Sequence, residues 1–179
     1  MLHGLGGIGK TQLAVEFARR HHRKFTSVFW FDGSSEDSLR QSIANCASKI
    51  VQGQISDASR TYAGEGGDIN SVVVEVMGWF AKPDNTDWLV VFDNVDREYG
   101  KSNSDPSAYD IRRYFSGADH GSILITTRLA RLEQLGTSLH VGKVNQSQAQ
   151  AILECWYKRK YSKTAYQNDM WKPILIMCL

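Results

Sequence analysis

The chain has 179 residues, of which 42% are hydrophobic and 22% charged, and its formal net charge is +2. This length suits one globular domain with its own core and is too short for a second full domain. The small net charge requires no nucleic-acid surface, and only the basic stretch 158–163, beside aromatic residues, leaves that alternative open. The longest apolar run, residues 174–179, is too short to span a bilayer, and the three cysteines have no CxxC spacing. We therefore expect a cytoplasmic protein with no membrane partner.

Three predicted elements follow the glycine-rich start of the chain. Apolar residues at helical spacing predict a helix over residues 10–23, with a buried stripe made of Leu13, Ala14, Phe17 and Ala18. Residues 27–31 are a continuous apolar, β-prone run, which is typical of a strand buried on both faces. Serine and acidic residues within 34–39 then predict the start of a second helix, whose apolar period continues to Ile50.

The rest of the chain combines two polar segments with further strands and helices. Surface loops are predicted over residues 52–69, which carry four glycines, and over the polar insert 97–108. The other predicted elements are a short helix over 72–80, a strand over 88–92, a short helix over 110–115, a strand over 122–126 and a weaker strand over 138–141. Asn145, followed three residues later by Gln148, resembles a capping box and predicts a last helix over residues 146–157.

This alternation of strands and helices predicts an α/β fold. Parallel strands joined by right-handed crossovers carry helices on both faces of their sheet, so we expect three layers around a mostly parallel sheet. Ligands of such sheets bind at the carboxyl ends of the strands. Residues that carry chemistry are therefore expected directly after strands, where the motifs described next are found.

The stretch "GLGGIGKT" carries the phosphate-loop pattern G-x-x-x-x-G-K-[ST] at Gly4, Gly9, Lys10 and Thr11. Glycines let successive backbone N–H groups point at phosphates, and the following helix adds its positive N-terminus. We expect Lys10 to reach the β- and γ-phosphates and the Thr11 hydroxyl to ligate Mg²⁺. The predicted nucleotide-binding residues are Gly4, Gly6, Gly7, Ile8, Gly9, Lys10, Thr11 and Gln12.

A second motif, "LVVFDNVD" at residues 89–96, is a hydrophobic strand that ends in Asp93. Nucleotide-bound Mg²⁺ needs a carboxylate in this place, so Thr11 and Asp93 are the predicted metal residues. Many hydrolysing P-loop enzymes carry a general base at the next position, but the amide of Asn94 can only orient a water. Efficient turnover is therefore not expected unless Asp96 or a partner supplies the base. Asp96 itself is interpreted as a turn residue or helix cap.

A third motif, "SILITTR", ends a strand with Arg128. An arginine one strand away from the phosphates can sense a γ-phosphate through a charge-assisted hydrogen bond. We therefore take Asp93, Asn94 and Arg128 as the candidate catalytic residues. The five histidines show no metal-ligand spacing, and none of them is assigned a role.

Taken in order, "LHGLGGIGKTQLA", "VFWFDGSSEDSL", "WLVVFDNVD" and "GSILITTR" resemble the NB-ARC domain of the STAND class of P-loop NTPases. The spelling is most similar to the fungal NOD-like receptors. The resemblance covers residues 2–153 and implies a P-loop nucleotide-binding domain over residues 1–143, followed over 144–179 by the start of the helical ARC region. It also implies a sheet ordered 2-3-1-4-5 whose first strand is largely missing. A chain truncated at both ends is expected, with unpaired backbone groups on the strands at residues 88 and 122.

The resemblance also implies a function. In that family ADP holds a multidomain receptor of innate immunity closed, exchange for ATP opens it, and oligomerisation then signals. The implied cofactors are ATP or ADP with Mg²⁺. The implied partners are the receptor's effector, winged-helix and repeat-sensor domains and further copies of the chain. Asn94 departs from the Asp-Asp form of many members, which favours a slow switch over a fast engine.

Two alternatives stay open at the level of sequence. One is an actively hydrolysing P-loop ATPase, with at least a weak activity despite Asn94. The other is a non-functional remnant that no longer folds stably because its first strand is nearly absent. A Ras-like GTPase is not expected, since the chain contains no N-K-x-D guanine motif.

Overall fold

Six parallel strands form one sheet in the computed structural model, which describes residues 1–62, 67–97, 108–148, 152 and 175–176. The strands are β1 (Leu2–His3), β2 (Ser27–Asp32), β3 (Trp88–Asp93), β4 (Ser122–Thr127), β5 (Leu139–His140) and β6 (Leu175–Ile176). Their order across the sheet is β5-β1-β4-β3-β2-β6, and every pairing is parallel. The predicted α/β class with a mostly parallel sheet is confirmed.

The predicted strand order, 2-3-1-4-5, is wrong at one place. β4 lies between β3 and β1, so the first five strands are ordered 2-3-4-1-5. β3 pairs along its length with β2 on one side and with β4 on the other, from Leu89 opposite Ser122 to Phe92 opposite Ile125. The expected unpaired groups between these strands are therefore absent from the described part of the sheet. The short β1 instead pairs with the last residues of β4 and with β5.

In the described part of the chain, four α-helices and shorter 3-10 turns lie between these strands, and residues 146–148 are also helical. The helices are α1 (Lys10–Arg20), α2 (Glu36–Cys46), α3 (Asp57–Arg60) and α4 (Ile69–Phe80); the 3-10 turns are His22–Lys24, Ala47–Lys49, Ile111–Tyr114 and Ala130–Leu135. α3 corrects the prediction of an uninterrupted loop over residues 52–69. Its cap residue Ser56 accepts a hydrogen bond from the Ser59 N–H and is itself held by the Glu75 carboxylate, a contact between distant residues that local composition does not reveal.

Helices cover both faces of the sheet, which confirms the three predicted layers. Two groups of buried residues lie on opposite faces of the sheet. The first joins the strands to α1, and the second joins them to α2 and α4. The first group is Leu2, Ala14, Ala18, Val28, Leu89 and Val91. The second group includes Phe29, Phe31, Leu39, Ile43, Val76, Phe80, Trp88 and Phe92. Neighbouring strand residues such as Val28 and Phe29 point to opposite faces, so a strand between two helical layers is apolar throughout.

The buried stripe predicted for α1 is narrower in the structure. Ala14 and Ala18 are fully buried against the sheet, whereas Leu13 is 46% exposed and Phe17 is 42% exposed. The small alanine side chains let the helix lie close to the strands, which leaves the larger residues at its flank. Phe17 there contacts the rings of His21 and Phe25, with centroids 4.8 and 6.2 Å away.

The predicted capping box forms at the start of the last described helical residues. The Asn145 N–H donates to the Gln148 side chain and the Gln148 N–H donates to the Asn145 side chain, both at 2.9 Å. Most of the predicted helix over 146–157, the basic stretch 158–163 and residues 98–107 of the polar insert lie outside the described residues. The domain division after residue 143 stays a prediction. In the described part of the chain, no helix has the length and apolar character needed to cross a membrane.

Candidate phosphate-binding site

A glycine-rich loop connects β1 to α1 at the carboxyl end of the sheet. The Gly4 N–H donates to the carbonyl of Thr127, and a Cβ at Gly4 would overlap the carbonyl oxygen of Val141. Gly9 immediately precedes α1 with a φ of 96°, in the left-handed region that a residue without a Cβ enters at little cost. Gly4 therefore lies where another backbone segment approaches closely, and Gly9 lies where the backbone is left-handed. Both positions favour a residue without a Cβ.

Among the described residues, the backbone N–H groups of residues 5–9 make no hydrogen bond of good geometry, although Gly6 and Gly7 form a tight turn. They lie directly before the first turn of α1, whose N-terminus carries a partial positive charge. Successive unpaired N–H groups beside a helix N-terminus form a concave binding site for anions. This local geometry suits phosphate oxygens.

Lys10 is the first residue of α1, and its ammonium group folds back over the loop. Nζ donates to the carbonyl oxygens of Gly4 at 3.0 Å and Leu5 at 2.9 Å. These contacts keep a positive charge at the loop. A phosphate bound there would compete with the two carbonyls for the same ammonium protons.

Thr11 and Asp93 meet, although 82 residues separate them in the chain. The Thr11 hydroxyl donates to Asp93 Oδ1 at 2.9 Å, with Oδ2 at 3.2 Å. Asp93 is the last residue of β3 and is only 6% exposed. A hydroxyl and a carboxylate are hard oxygen ligands that suit Mg²⁺, which commonly binds one or two carboxylates together with waters and substrate phosphates. The described residues include no cluster of three acidic, histidine or cysteine side chains able to form an all-protein metal cage.

A second hydroxyl, from Thr126 of β4, also donates to Asp93 Oδ1. The same oxygen of Thr126 accepts a 3.0 Å hydrogen bond from the Asn94 N–H. Thr126 therefore fixes both the carboxylate and the backbone that follows it. Sequence reasoning assigned no role to Thr126, because its position beside Asp93 depends on the direct pairing of β3 with β4.

Asn94 lies just beyond β3 with a φ of 62°, and its side chain is exposed. Asparagine enters the left-handed region more readily than most residues that have a Cβ, which gives this position a backbone reason for an amide side chain. The expected orientation of a water by Asn94 stays a prediction.

Arg128 follows β4, and its guanidinium lies beside the phosphate loop. A Cβ built on Gly6 would be 3.2 Å from Arg128 Cζ. Asp96 binds this arginine, with Arg128 Nε 2.9 Å from Oδ2 and the Arg128 N–H donating to Oδ1 at 2.6 Å. Asp96 is thus an ion-pair partner, in contrast to the turn residue or helix cap that was predicted. Of the other predicted residues, Gly7 and Ile8 lie in the loop, and Gln12 is exposed in the first turn of α1.

A buried tyrosine supports the loop next to Asp93. Tyr109 donates its hydroxyl to the carbonyl of Gly33 at 2.6 Å, and the Gly33 N–H donates to the carbonyl of Asp93 at 2.6 Å. Burial raises the pKa of the Tyr109 hydroxyl well above its ordinary value, which favours the protonated form that donates this hydrogen bond. This link was also missed from the sequence.

The chain has a parallel sheet between two layers of helices, and the loop between its first strand and first helix carries the phosphate-loop pattern. This arrangement is that of a P-loop NTPase fold. Among solved structures, the chain is similar to the crystal structure of Cdc6p from Pyrobaculum aerophilum, with a TM-score of 0.57 and 14% sequence identity. The match covers 88% of this chain but only 42% of the Cdc6p chain. At this identity the similarity shows the fold alone. No family model matches the chain, and no curated protein sequence matches it.

Proposed function

We propose that this chain is a nucleotide-binding module that takes ATP or ADP together with Mg²⁺. The observation that carries the proposal is the meeting of three features at one edge of the sheet. These are the loop N–H groups of residues 5–9, which make no hydrogen bond of good geometry in the described part of the chain, the Lys10 ammonium and the Thr11–Asp93 pair. Together they supply donors and positive charge for phosphates and oxygen ligands for a cation.

Each residue has a distinct part in this proposal. The loop from Gly4 to Gly9 binds phosphate oxygens through its backbone, and Lys10 neutralises their charge. Thr11 and Asp93 hold Mg²⁺, which reduces the repulsion between phosphates and the buried carboxylate. Arg128, beside Gly6, contacts the terminal phosphate of a triphosphate. The choice of adenine over guanine rests on the NB-ARC resemblance.

We further propose that the module works as a switch with slow or no hydrolysis. The NB-ARC resemblance supports nucleotide exchange as the signal. It also supports the effector, winged-helix and repeat-sensor domains of a parent receptor as partners, with oligomerisation on activation. Asn94 supports slow turnover, because an amide cannot act as a general base.

Binding is tested by thermal unfolding of the chain with and without Mg-ADP. A ligand that binds only the folded form stabilises it by about 2.7 kcal/mol at a hundredfold excess over Kd, so we expect a higher unfolding midpoint. Mg-GDP and ADP with EDTA serve as controls for the base and for the cation. An unchanged midpoint at millimolar Mg-ADP would contradict the proposal, and the lack of a cooperative transition would favour the remnant alternative.

Steady-state phosphate release from ATP separates the switch from the ATPase alternative. We expect the wild-type chain to bind Mg-ATP without sustained turnover, because neither Asn94 nor the ion-paired Asp96 is placed as a free base. Rapid turnover that Asp93→Ala abolishes would replace the switch by an active ATPase. Turnover that persists in Asp93→Ala would indicate a contaminating enzyme.

A further inference from the structure

Asp96 uses both carboxylate oxygens on one residue, Arg128. Oδ1 accepts from the backbone N–H and Oδ2 pairs with Nε of the side chain. These two contacts fix both the backbone and the guanidinium group of Arg128. In the described part of the chain, Asp96 is the only carboxylate within ion-pair distance of Arg128.

The segment that carries Asp96 is itself anchored to the sheet. The Asp96 N–H donates to the carbonyl of Asn94 at 2.8 Å, and the Val95 N–H donates to the carbonyl of Thr126 at 3.0 Å. The Thr127 hydroxyl donates to the carbonyl of Val95 at 2.5 Å. Asp96 is therefore placed by the ends of β3 and β4 and does not move freely on a long loop.

The guanidinium of Arg128 lies against the phosphate loop at Gly6, where the absence of a side chain leaves room for it. The atoms nearest to a Cβ built on Gly6 are Arg128 Cζ, Nε and Nη1, at 3.2, 3.4 and 3.5 Å. The P-loop pattern does not require glycine at this position. Because Asp96 engages Nε, the two terminal nitrogens of the guanidinium stay available to bind a second anion.

We propose that Asp96 is a positioning residue that holds Arg128 over Gly6 and thereby sets the site's preference for nucleoside triphosphates over diphosphates. This inference rests on the proposed nucleotide binding and extends it to a residue with no assigned role. Without the ion pair, Arg128, which is 64% exposed, samples solvent-facing conformers and loses its preorganisation for a terminal phosphate. Groups that bind the first two phosphates are unaffected.

The test is Asp96→Asn in the full chain, with calorimetric titration of Mg-ADP and of a non-hydrolysable ATP analogue with Mg²⁺. Asparagine keeps an oxygen for the Arg128 N–H and removes the charge that holds the guanidinium. We expect the analogue to bind roughly tenfold more weakly, as for loss of one charge-assisted hydrogen bond, and ADP affinity to stay within about twofold. Asp84→Asn, at an exposed site, is the matched control and is expected to change neither affinity.

A purely structural role of Asp96 predicts a different pattern. If folded Asp96→Asn weakens both nucleotides equally, or leaves their affinity ratio unchanged, the inference is overturned while the proposed function stands. If the wild-type chain binds neither nucleotide, the proposed function fails and the inference fails with it.

In an Arg128→Ala background, Asp96→Asn is expected to have no further effect on the ratio of the two affinities, and an undiminished effect there would contradict the inference. If Asp96→Asn does not fold, Asp96→Glu, which keeps the charge on a longer side chain, is expected to shift the ratio in the same direction.

Discussion

Replacing Lys10 by alanine is expected to remove most of the stabilisation that Mg-ADP gives to the folded chain. A hydrogen bond to a charged group contributes about 1.5–3 kcal/mol, which corresponds to roughly 10- to 150-fold in affinity. At an ADP concentration a hundredfold above the wild-type Kd, a hundredfold loss would reduce the stabilisation from about 2.7 to about 0.4 kcal/mol. Thermal unfolding with and without Mg-ADP measures both values.

The contacts of Lys10 make this variant informative. Among the described residues its ammonium donates only to two loop carbonyls, the part-buried one of Gly4 and the exposed one of Leu5, so the unliganded chain is expected to change by less than about 1 kcal/mol. Lys49→Ala, at an exposed site after α2, matches the loss of charge far from the loop. A Mg-ADP response that survives in Lys10→Ala but disappears in Lys49→Ala would place the nucleotide elsewhere on the protein.

The sequence predicts those candidate site residues whose positions depend on local spacing. The phosphate-loop pattern predicts roles for Lys10 and Thr11, because both lie within the first turn of the helix that follows the glycines. Asp93 and Arg128 are predicted site residues because each lies at the end of an apolar strand, and parallel strands bring their carboxyl ends to one edge. The observed approach of Thr11 to Asp93 agrees with that expectation.

The partners of these residues could not be predicted in the same way. Thr126 contacts Asp93 only because β4 is the neighbour of β3, and the expected strand order placed β1 between them. The same error hid the pairing of Asp96 with Arg128, since the segments after β3 and β4 must be adjacent for these side chains to meet. Strand order is decided by contacts between residues that are distant in the chain. Because β1 has only two residues, the sequence contains little information about which strands it pairs with.

The exposure of Leu13 has a similar cause. Periodicity identifies which residues of α1 share a face, but it does not give the distance between that face and the sheet. That distance depends on the size of Ala14 and Ala18, which pack against Val28 and Leu89. Helical spacing therefore predicted the correct side of the helix and overestimated the width of its buried part.

The second large effect is expected at the amino ends of β3 and β4, away from the site, where Gly121→Ala should destabilise the fold by about 1–3 kcal/mol. Gly121 directly precedes β4, and a Cβ there would overlap the indole ring of Trp88, the first residue of β3. Trp88 is only 1% exposed, and its Nε1 donates to the carbonyl of Phe80 at 3.1 Å, so the ring cannot move aside freely. The φ of Gly121 lies outside the left-handed region, so the expected cost comes from packing and not from backbone strain.

Gly78 provides a matched substitution with the opposite expected sign. It lies in α4, and an added Cβ would have no atom within 4 Å other than its chain neighbours and the backbone of its own helix, so Gly78→Ala should stabilise the chain by about 0.5–1 kcal/mol. Urea unfolding of both variants measures the two free-energy changes, and equal changes would contradict the packing argument. A Trp88→Phe background provides a further check, because the smaller ring leaves room for the new methyl group. If Gly121→Ala costs as much there as in the wild type, the overlap with the indole is not the cause, whereas a coupling of about 0.5–3 kcal/mol between the two positions would identify it.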